Sequence, residues 1–292
     1  MSGRVRPVRL VNYRDRHGRV RAGVVREGVV YRAEVATETA GDDAQSATVD
    51  DLVASGQLGS VHAGETVGRL DEVSLEPPIL APQKIVCIGL NYRSHAEEQG
   101  AEPPSQPTFF AKFRNALAAP GATVPLPRLS AKVDYEAEVA FVVGRRCKDV
   151  PEERALDCIA GYTLFNDLSA RDLQFATPQW MPGKVFDGSA PMGPALVTPD
   201  EAGSHDAIDI ELLLNGEQMQ AATTADLVHS IPALVAHLSA LMTLEPGDVV
   251  ATGTPAGVGS LRKPRVWLRP GDEVIVRSRV LGELVTRIGA AG

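Results

Sequence analysis

The sequence predicts a mixed α/β fold that is rich in β-strands and divided into two parts. Most apolar runs are only a few residues long and lie between Gly and Pro turns, which is typical of strands. Apolar residues at helical spacing are confined to a few segments. Pro77, Pro78 and Pro82 interrupt the chain. We therefore place a boundary between a small N-terminal domain, residues 1–78, and a larger domain, residues 80–290.

The small N-terminal domain is predicted to contain β-strands and one short helix. Residues 5–35 alternate short apolar and polar stretches around turns that contain Gly, which indicates a meander of strands. Residues 38–48 are polar and rich in Gly and Ala, so we predict a loop. Residues 49–56 are predicted as a short helix that is capped near Asp50.

The larger domain is predicted to alternate strands with a few helices. Asn215-Gly216 indicates a hairpin, because both residues tolerate positive φ. Ser230 and Pro232 mark the start of a helix whose apolar residues follow helical spacing. In chain order we predict a strand over 84–89, a helix over 92–99, loops over 100–130, a strand over 133–143, a helix over 152–160, a strand over 161–168, a hairpin strand over 208–214, a helix from 231 and short strands near 250, 275 and 285.

The composition restricts the partners that this protein can bind. A net charge of −8 argues against nucleic acid and anionic membranes, because both need a basic surface. The chain has three cysteines and no CxxC pair, which fits a reducing compartment. It shows neither a signal peptide nor an apolar run of membrane-spanning length. We therefore expect a cytoplasmic protein whose partner is a small molecule.

The segment from Val133 to Val143 carries the most chemical information. Side chains alternate between the two faces of a strand, so Asp134, Glu136 and Glu138 share one face opposite an apolar face. Glu136 and Glu138 lie about 7 Å apart along such a strand, close enough to bind one cation together. Oxygen ligands suit Mg²⁺, Mn²⁺ or Ca²⁺. A solvent-facing acidic strand without a metal is the alternative interpretation.

Polar residues further along the chain add to this acidic segment. Asp167 follows an apolar strand and could supply a third carboxylate. Arg171 and Gln174 are three residues apart, so they share a face if their segment is helical. Lys184 follows, and residues 252–259 form a Gly-rich stretch. That stretch lacks the lysine of a phosphate-binding loop, so on its own it indicates only a turn.

A set of short motifs occurs in order in the larger domain. They are Gly89-Leu90-Asn91-Tyr92-x-x-His95-x-x-Glu98, Glu136-x-Glu138, Asn166-Asp167-x-Ser169-Ala170-Arg171-Asp172-x-Gln174, Lys184 and Gly253-Thr254-Pro255-x-Gly257-Val258-Gly259. This set resembles the fumarylacetoacetate hydrolase family over residues 80–288. Asn91 stands where the larger members carry a further carboxylate. The chain therefore resembles the smaller bacterial members, of acylpyruvase and 2-hydroxyhepta-2,4-diene-1,7-dioate isomerase type.

The resemblance implies both a fold and a set of site residues. The fold is a β-roll catalytic domain behind a small N-terminal β-containing domain, and the assembly is a homodimer. The metal is usually Mg²⁺. The implied residues are Glu136, Glu138 and Asp167 as metal ligands, His95, Glu98 and Lys184 as catalytic residues, and Arg171, Gln174 and Thr254 as substrate-binding residues.

The activity implied by the resemblance is metal-dependent hydrolysis of a C–C bond in a small 2,4-dioxo acid, of acylpyruvate or fumarylpyruvate type. In this hypothesis His95 activates water, Glu98 orients the imidazole, and Lys184 helps to stabilise the oxyanion. The family also contains decarboxylases of 2-oxo diacids such as oxaloacetate, and isomerases of hydroxy-dienoic diacids. Both remain alternatives. A non-catalytic binding protein is a further hypothesis, against which the intact carboxylates and Lys184 count.

Overall fold

An antiparallel meander opens the part of the chain that the computed structural model describes, residues 8–35 and 47–292. The predicted strands over 5–35 are confirmed from residue 9 onward. Most of the predicted loop, 38–48, falls outside the described residues. The elements are β1 (Arg9–Arg14), β2 (Val20–Arg26), β3 (Val29–Val35), α1 (Val49–Ala54), β4 (Val61–Arg69) and β5 (Leu75–Glu76).

The predicted helix α1 is confirmed, but its predicted cap is wrong. Thr48 caps it, because the Thr48 side chain accepts from the Asp51 N–H while the Asp51 carboxylate accepts from the Thr48 N–H. The Asp50 carboxylate instead accepts from the backbone N–H groups of Leu80 and Ala81, at 2.9 and 3.1 Å. Asp50 therefore fastens α1 to the segment that leads into the larger part of the chain.

The middle of the chain contains more strands than the sequence predicts. The predicted loops over 100–130 include three short strands, and the helix predicted over 152–160 is a 3₁₀ helix over Glu152–Cys158. The elements are β6 (Ile85–Gly89), α2 (Arg93–Gln99), β7 (Thr108–Lys112), β8 (Leu117–Ala118), β9 (Thr123–Pro125), β10 (Val133–Asp134), β11 (Ala137–Val143), β12 (Ile159–Asn166), β13 (Ser169–Ala170), α3 (Arg171–Gln174), β14 (Ala190–Val197) and α4 (Pro199–Ala202).

The last third of the chain agrees with its prediction. Asn215 and Gly216 form the turn of a hairpin, with φ of 52° and 85°. The Ser230 hydroxyl accepts from the Ala233 N–H and caps the predicted helix. The elements are β15 (Asp209–Leu214), β16 (Glu217–Thr223), α5 (Ile231–Leu241), β17 (Val249–Ala251), β18 (Glu273–Ser278) and β19 (Gly282–Gly289).

Two large sheets organise these strands. The main sheet has the order β4-β3-β2-β1-β14-β12-β11-β17-β6-β7, with β5 paired to β1 and β8 to β14. The second sheet has the order β16-β15-β18-β19-β9, and β10 pairs with β13. The N-terminal strands thus continue the main sheet through the β1–β14 pair. The β-rich mixed fold is confirmed, while the domain boundary near residue 80 stays a prediction.

Strand β11 lies at the centre of the main sheet and is buried on both faces. Val139 and Phe141 pack in one apolar cluster with residues of β15, β18 and β19. Ala140 and Val142 pack in a second cluster with residues of α1 and β6. The sequence predicted one buried face and one polar face, because it could not show that a second layer covers the main sheet. None of the helices in the described ranges has the length and apolar character needed to cross a membrane.

Candidate active site

Three buried carboxylates meet where the central strands of the main sheet end. Glu138 lies on β11, Glu136 lies in the break between β10 and β11, and Asp167 directly follows β12. The Asp167 N–H donates to the Glu136 carbonyl oxygen at 2.9 Å, which holds the two strand ends together. One oxygen of each carboxylate lies within 4.8 Å of the other two. The fold therefore brings the three predicted metal ligands together.

Two buried lysines neutralise part of this negative charge. Lys184 Nζ lies 2.6 Å from Glu136 Oε2 and 2.8 Å from Asp167 Oδ2. Lys112, at the end of β7, donates to Asp167 Oδ1 at 2.6 Å. Sequence reasoning missed Lys112, because it lies in a segment predicted as loop. The pKa of Lys184 is raised: burial lowers it, but Asp167 and Glu136 outweigh that effect.

Arg171 connects the carboxylate cluster to the Gly-rich stretch. Its Nη2 lies 2.7 Å from Glu136 Oε1, its Nε donates to Asp134 Oδ2 at 2.9 Å, and its Nη1 donates to Gln174 Oε1 at 2.9 Å. Asp134 also accepts from the Gly259 N–H at 2.7 Å. The helical pairing of Arg171 with Gln174 is confirmed. The strand predicted over 133–143 is interrupted between β10 and β11, and Asp134 contacts Arg171 without joining the carboxylate cluster.

The carboxylate of Glu138 has no cationic partner among the described side chains. Its Oε2 accepts from the Gly253 N–H at 2.8 Å. Burial raises the pKa of Glu138 well above its ordinary value, and Asp167 and Glu136 raise it further. Burial alone would also raise the pKa of Glu136, but Arg171 and Lys184 lower it to about 2. A divalent cation among the three carboxylates would compensate the negative charge of Glu138. A set of carboxylate oxygens is also the type of site that fits Mg²⁺, Mn²⁺ or Ca²⁺.

Mg²⁺ affinity is expected to fall as the pH is lowered. The metal binds the ionised carboxylate. Because its pKa is raised, Glu138 in the metal-free protein keeps its proton up to a higher pH than an ordinary glutamate does. Binding must then release that proton, so a lower pH opposes it. Calorimetric titration with Mg²⁺ in buffers of different ionisation enthalpy measures the released proton directly. Proton release that is zero at every pH from 5 to 8 would contradict this assignment.

The predicted His95–Glu98 pair forms on α2. His95 Nδ1 lies 3.4 Å from Glu98 Oε2, and Gln99 Nε2 lies 2.8 Å from His95 Nε2. In the neutral tautomer whose Nε2 accepts from the Gln99 amide, the ring proton is on Nδ1 and faces Glu98. The Glu98 carboxylate also accepts from the Gly257 N–H at 3.1 Å. Gln99 was not predicted, although its spacing of four from His95 was a readable signal.

The loop after β17 approaches the cluster through its backbone. Gly253 has a φ of 103°, and a Cβ there would lie 2.9 Å from Asn91 Cβ, so the position requires glycine. Asn91 donates to the Thr252 carbonyl oxygen at 2.8 Å and has a structural role. Thr254 Oγ1 accepts from Gln220 Nε2 at 2.8 Å. Gln220 was missed because it lies on a distant strand, β16.

All nine predicted site residues except Glu98 line one pocket with a cavity volume of about 50 Å³. Glu98 lies behind His95, with its Oε2 3.4 Å from His95 Nδ1. Phe110 and Trp180 form an aromatic wall, with ring centroids 6.0 Å apart, and Lys184 Nζ lies 4.9 Å from the Phe110 centroid. The pocket therefore combines a metal-binding donor set, buried cations and one histidine. The individual roles of the residues stay predictions.

Comparison with known proteins gives a consistent result. The model of the family described as "Fumarylacetoacetate (FAA) hydrolase C-terminal" matches residues 84–289. The mitochondrial oxaloacetate tautomerase fahd2 of Xenopus laevis is 44% identical over 214 residues, which cover 73% of this chain and 67% of that protein. The expected cytoplasmic location and homodimer stay predictions.

Two solved structures share the whole architecture. A 2-hydroxyhepta-2,4-diene-1,7-dioate isomerase from Mycobacterium marinum has a TM-score of 0.79 and 32% identity, covering 98% of this chain and 99% of that one. A fumarylacetoacetate hydrolase from Exiguobacterium antarcticum has a TM-score of 0.80 and 32% identity, covering 97% and 99%. The chain belongs to the fumarylacetoacetate hydrolase family.

Proposed function

We propose that this protein is a metal-dependent isomerase that moves a proton within a small 2-oxo dicarboxylic acid, interconverting its keto and enol forms. The observation that carries the proposal is that His95 lines the same pocket as the three carboxylates, with Glu98 and Gln99 beside its ring nitrogens. Histidine exchanges protons near neutral pH. A keto–enol interconversion needs one such group and no second reactant.

In the proposed reaction His95 Nε2 takes a proton from the carbon next to the 2-oxo group. The same proton, or one from solvent, is then placed on the 2-oxo oxygen, so the keto form becomes the enol with no change in composition. The Gln99 amide covers Nε2 until substrate replaces it. Glu98 faces the ring proton on Nδ1 and stabilises the imidazolium that forms after proton abstraction.

The cations of the pocket support the same step. A divalent cation, when bound, supplies Lewis-acid charge beside the 2-oxo group. Lys184 lines the pocket as a buried ammonium and can donate to the oxygen on which negative charge develops. Arg171 holds Glu136 in place while the carboxylates bind the cation. Each of these groups stays fixed during the reaction, so only the proton has to move.

Two of the three relatives described above support proton relocation, whereas the Exiguobacterium antarcticum protein is named as a hydrolase. The Xenopus protein is named as an oxaloacetate tautomerase, and the Mycobacterium marinum protein as an isomerase of a seven-carbon hydroxy-dienoic diacid. Both names describe isomerisation of a dicarboxylic acid that carries oxygen at carbon 2. Isomerisation therefore takes precedence over the C–C hydrolysis that the sequence motifs favoured.

The first experiment is proton NMR of oxaloacetate in D₂O with Mg²⁺, with and without the protein. Exchange of hydrogen for deuterium at carbon 3 is expected to be faster than in the same Mg²⁺ solution without protein. EDTA is expected to abolish this difference in rate. Pyruvate should form no faster than in the control without protein, because oxaloacetate also loses CO₂ slowly without an enzyme. Pyruvate with loss of CO₂ as the main product would instead show decarboxylation. Binding without any turnover would favour the non-catalytic hypothesis.

C–C hydrolysis of an acylpyruvate is the second candidate. The His95–Glu98 pair that supports proton abstraction from carbon could equally take a proton from water. The same NMR experiment on acetylpyruvate separates the two reactions, because hydrolysis releases acetate and pyruvate whereas isomerisation releases nothing. Faster turnover of acetylpyruvate than of any diacid would favour hydrolysis.

His95→Asn is expected to lower kcat about a hundredfold, because it removes the general base but leaves the carboxylates and cations in place. Mg²⁺ affinity, measured by calorimetry, should stay within about twofold of wild type. His62→Asn is the matched control, since His62 is exposed on β4 and its Nε2 lies 3.4 Å from Glu34 Oε2. Full activity of His95→Asn would exclude His95 as the base.

A further inference from the structure

A second cavity continues outward from the candidate active site. It has a volume of about 270 Å³ and shares four lining residues with the inner pocket, namely His95, Gln99, Arg171 and Phe175. Because His95 lies at the junction, a molecule that reacts there can extend from one cavity into the other. We call the 270 Å³ space the outer cavity.

The inner pocket is too small to hold a whole substrate. Its volume of about 50 Å³ is a third of the roughly 150 Å³ cavity that holds one benzene molecule in a protein interior. It can therefore take only the reacting end of an oxo acid, with its carboxylate and 2-oxo oxygen. The remainder of any longer molecule must lie in the outer cavity.

Two cations line the outer cavity without a protein partner. Within residues 8–35 and 47–292, the Lys132 ammonium and the Arg265 guanidinium form no hydrogen bond or ion pair. Asp172, the one carboxylate of this lining, accepts from the Ser130 hydroxyl and the Leu173 N–H. Lys132 and Arg265 are therefore both available to an anionic group.

The outer cavity also has an apolar wall. Phe175, Val258, Leu261 and Trp267 contribute to it, and Phe175 is 65% exposed. Large apolar side chains at such exposure are a common feature of ligand sites, where they cover the non-polar part of the ligand. From the inner pocket to the outer cavity, the lining thus changes from carboxylates with buried cations to apolar groups together with two free cations.

We propose that Lys132 and Arg265 bind the distal carboxylate of an extended 2-oxo or 2-hydroxy dicarboxylic acid, whose carbon chain lies along the apolar wall. This inference rests on the proposed function and names its substrate class. Arginine suits the task, because its planar guanidinium can donate two parallel hydrogen bonds to a carboxylate. Lys132 and Arg265 are specificity-determining residues here and take no part in the proton transfer.

The test compares two seven-carbon acids, 2-oxoheptanedioate and 2-oxoheptanoate, which differ in the distal carboxylate. Each is titrated calorimetrically into wild-type protein with Mg²⁺, so the readout is binding and not turnover. Wild type is expected to bind the diacid at least about tenfold more tightly than the monoacid. Equal affinities for the two acids would overturn the proposal.

Lys132→Met and Arg265→Met are each expected to weaken diacid binding about tenfold, and monoacid binding less than about twofold. Arg265→Lys should recover part of the loss. Lys263→Met is the matched control: Lys263 is exposed on the same segment but lines a different depression, beside Leu214. A double variant, Lys132→Met with Arg265→Met, that keeps wild-type diacid affinity would overturn the proposal. Absence of proton exchange in the NMR experiment would contradict the proposed function without altering these titrations.

Discussion

Glu138→Gln is expected to reduce turnover to the level measured in EDTA, while the metal-free protein stays at least as stable as wild type. Glu138 is the one carboxylate of the three that forms no ion pair with the described side chains, and its pKa is raised first by burial and then by repulsion from Asp167 and Glu136. A neutral amide removes that repulsion and can still accept from the Gly253 N–H. It also removes one negative ligand, so Mg²⁺ affinity should fall more than about a hundredfold.

Two measurements check this expectation, thermal unfolding with and without Mg²⁺ and a Mg²⁺ titration. Glu136→Gln is the matched comparison, because it changes the same type of ligand but breaks the contacts with Lys184 and Arg171. That variant should unfold more easily even without metal. If Glu138→Gln kept wild-type Mg²⁺ affinity, Glu138 would not be a ligand.

Lys184→Met is expected to lower kcat about a thousandfold and to destabilise the fold by about 3–5 kcal/mol. The ammonium is buried and lies within 2.8 Å of both Glu136 and Asp167. Its removal leaves these two carboxylates with less compensation in a region without solvent. It also removes a donor that lines the inner pocket. Chemical denaturation and steady-state kinetics measure the two effects separately.

Lys112→Met separates the electrostatic effect from the catalytic one. Lys112 is also a buried partner of Asp167, but it does not line the inner pocket. Lys112→Met should therefore destabilise the fold about as much as Lys184→Met does. Its loss of kcat should be smaller. Equal losses of kcat would mean that Lys184 acts only by holding the carboxylates, and it would then be a positioning residue.

Local signals in the sequence predicted much of the architecture. The hairpin at Asn215-Gly216 and the helix that begins after Ser230 both depend on short-range backbone chemistry, and both are confirmed. The cap of α1 was harder to predict, because Thr48, Asp50 and Asp51 all have side chains that can cap a helix. Asp50 is instead used by a contact thirty residues away. The spacing of residues along the sequence cannot predict whether such a side chain binds a local or a distant partner.

The candidate site was predictable to a similar degree. Glu138 and Asp167 converge because β11 and β12 are antiparallel neighbours, with Ala137 opposite Asn166. Lys112 gave no such signal, since it reaches Asp167 from β7, on the far side of β11, β17 and β6. The outer cavity also depends on four separate segments of the chain, 95–99, 132, 171–175 and 258–267.

The pairing of β1 with β14 has a consequence for how the chain reaches its native state. Val8 and Thr198 exchange backbone and side-chain hydrogen bonds across a separation of 190 residues. Strand β1 cannot take its place in the main sheet until β14 has been synthesised, and until then the meander has an open edge. Pairings over such distances carry a large loop-closure entropy and slow folding. During synthesis the first strands are therefore a point at which chaperones could assist, even though they lie far from the carboxylate cluster.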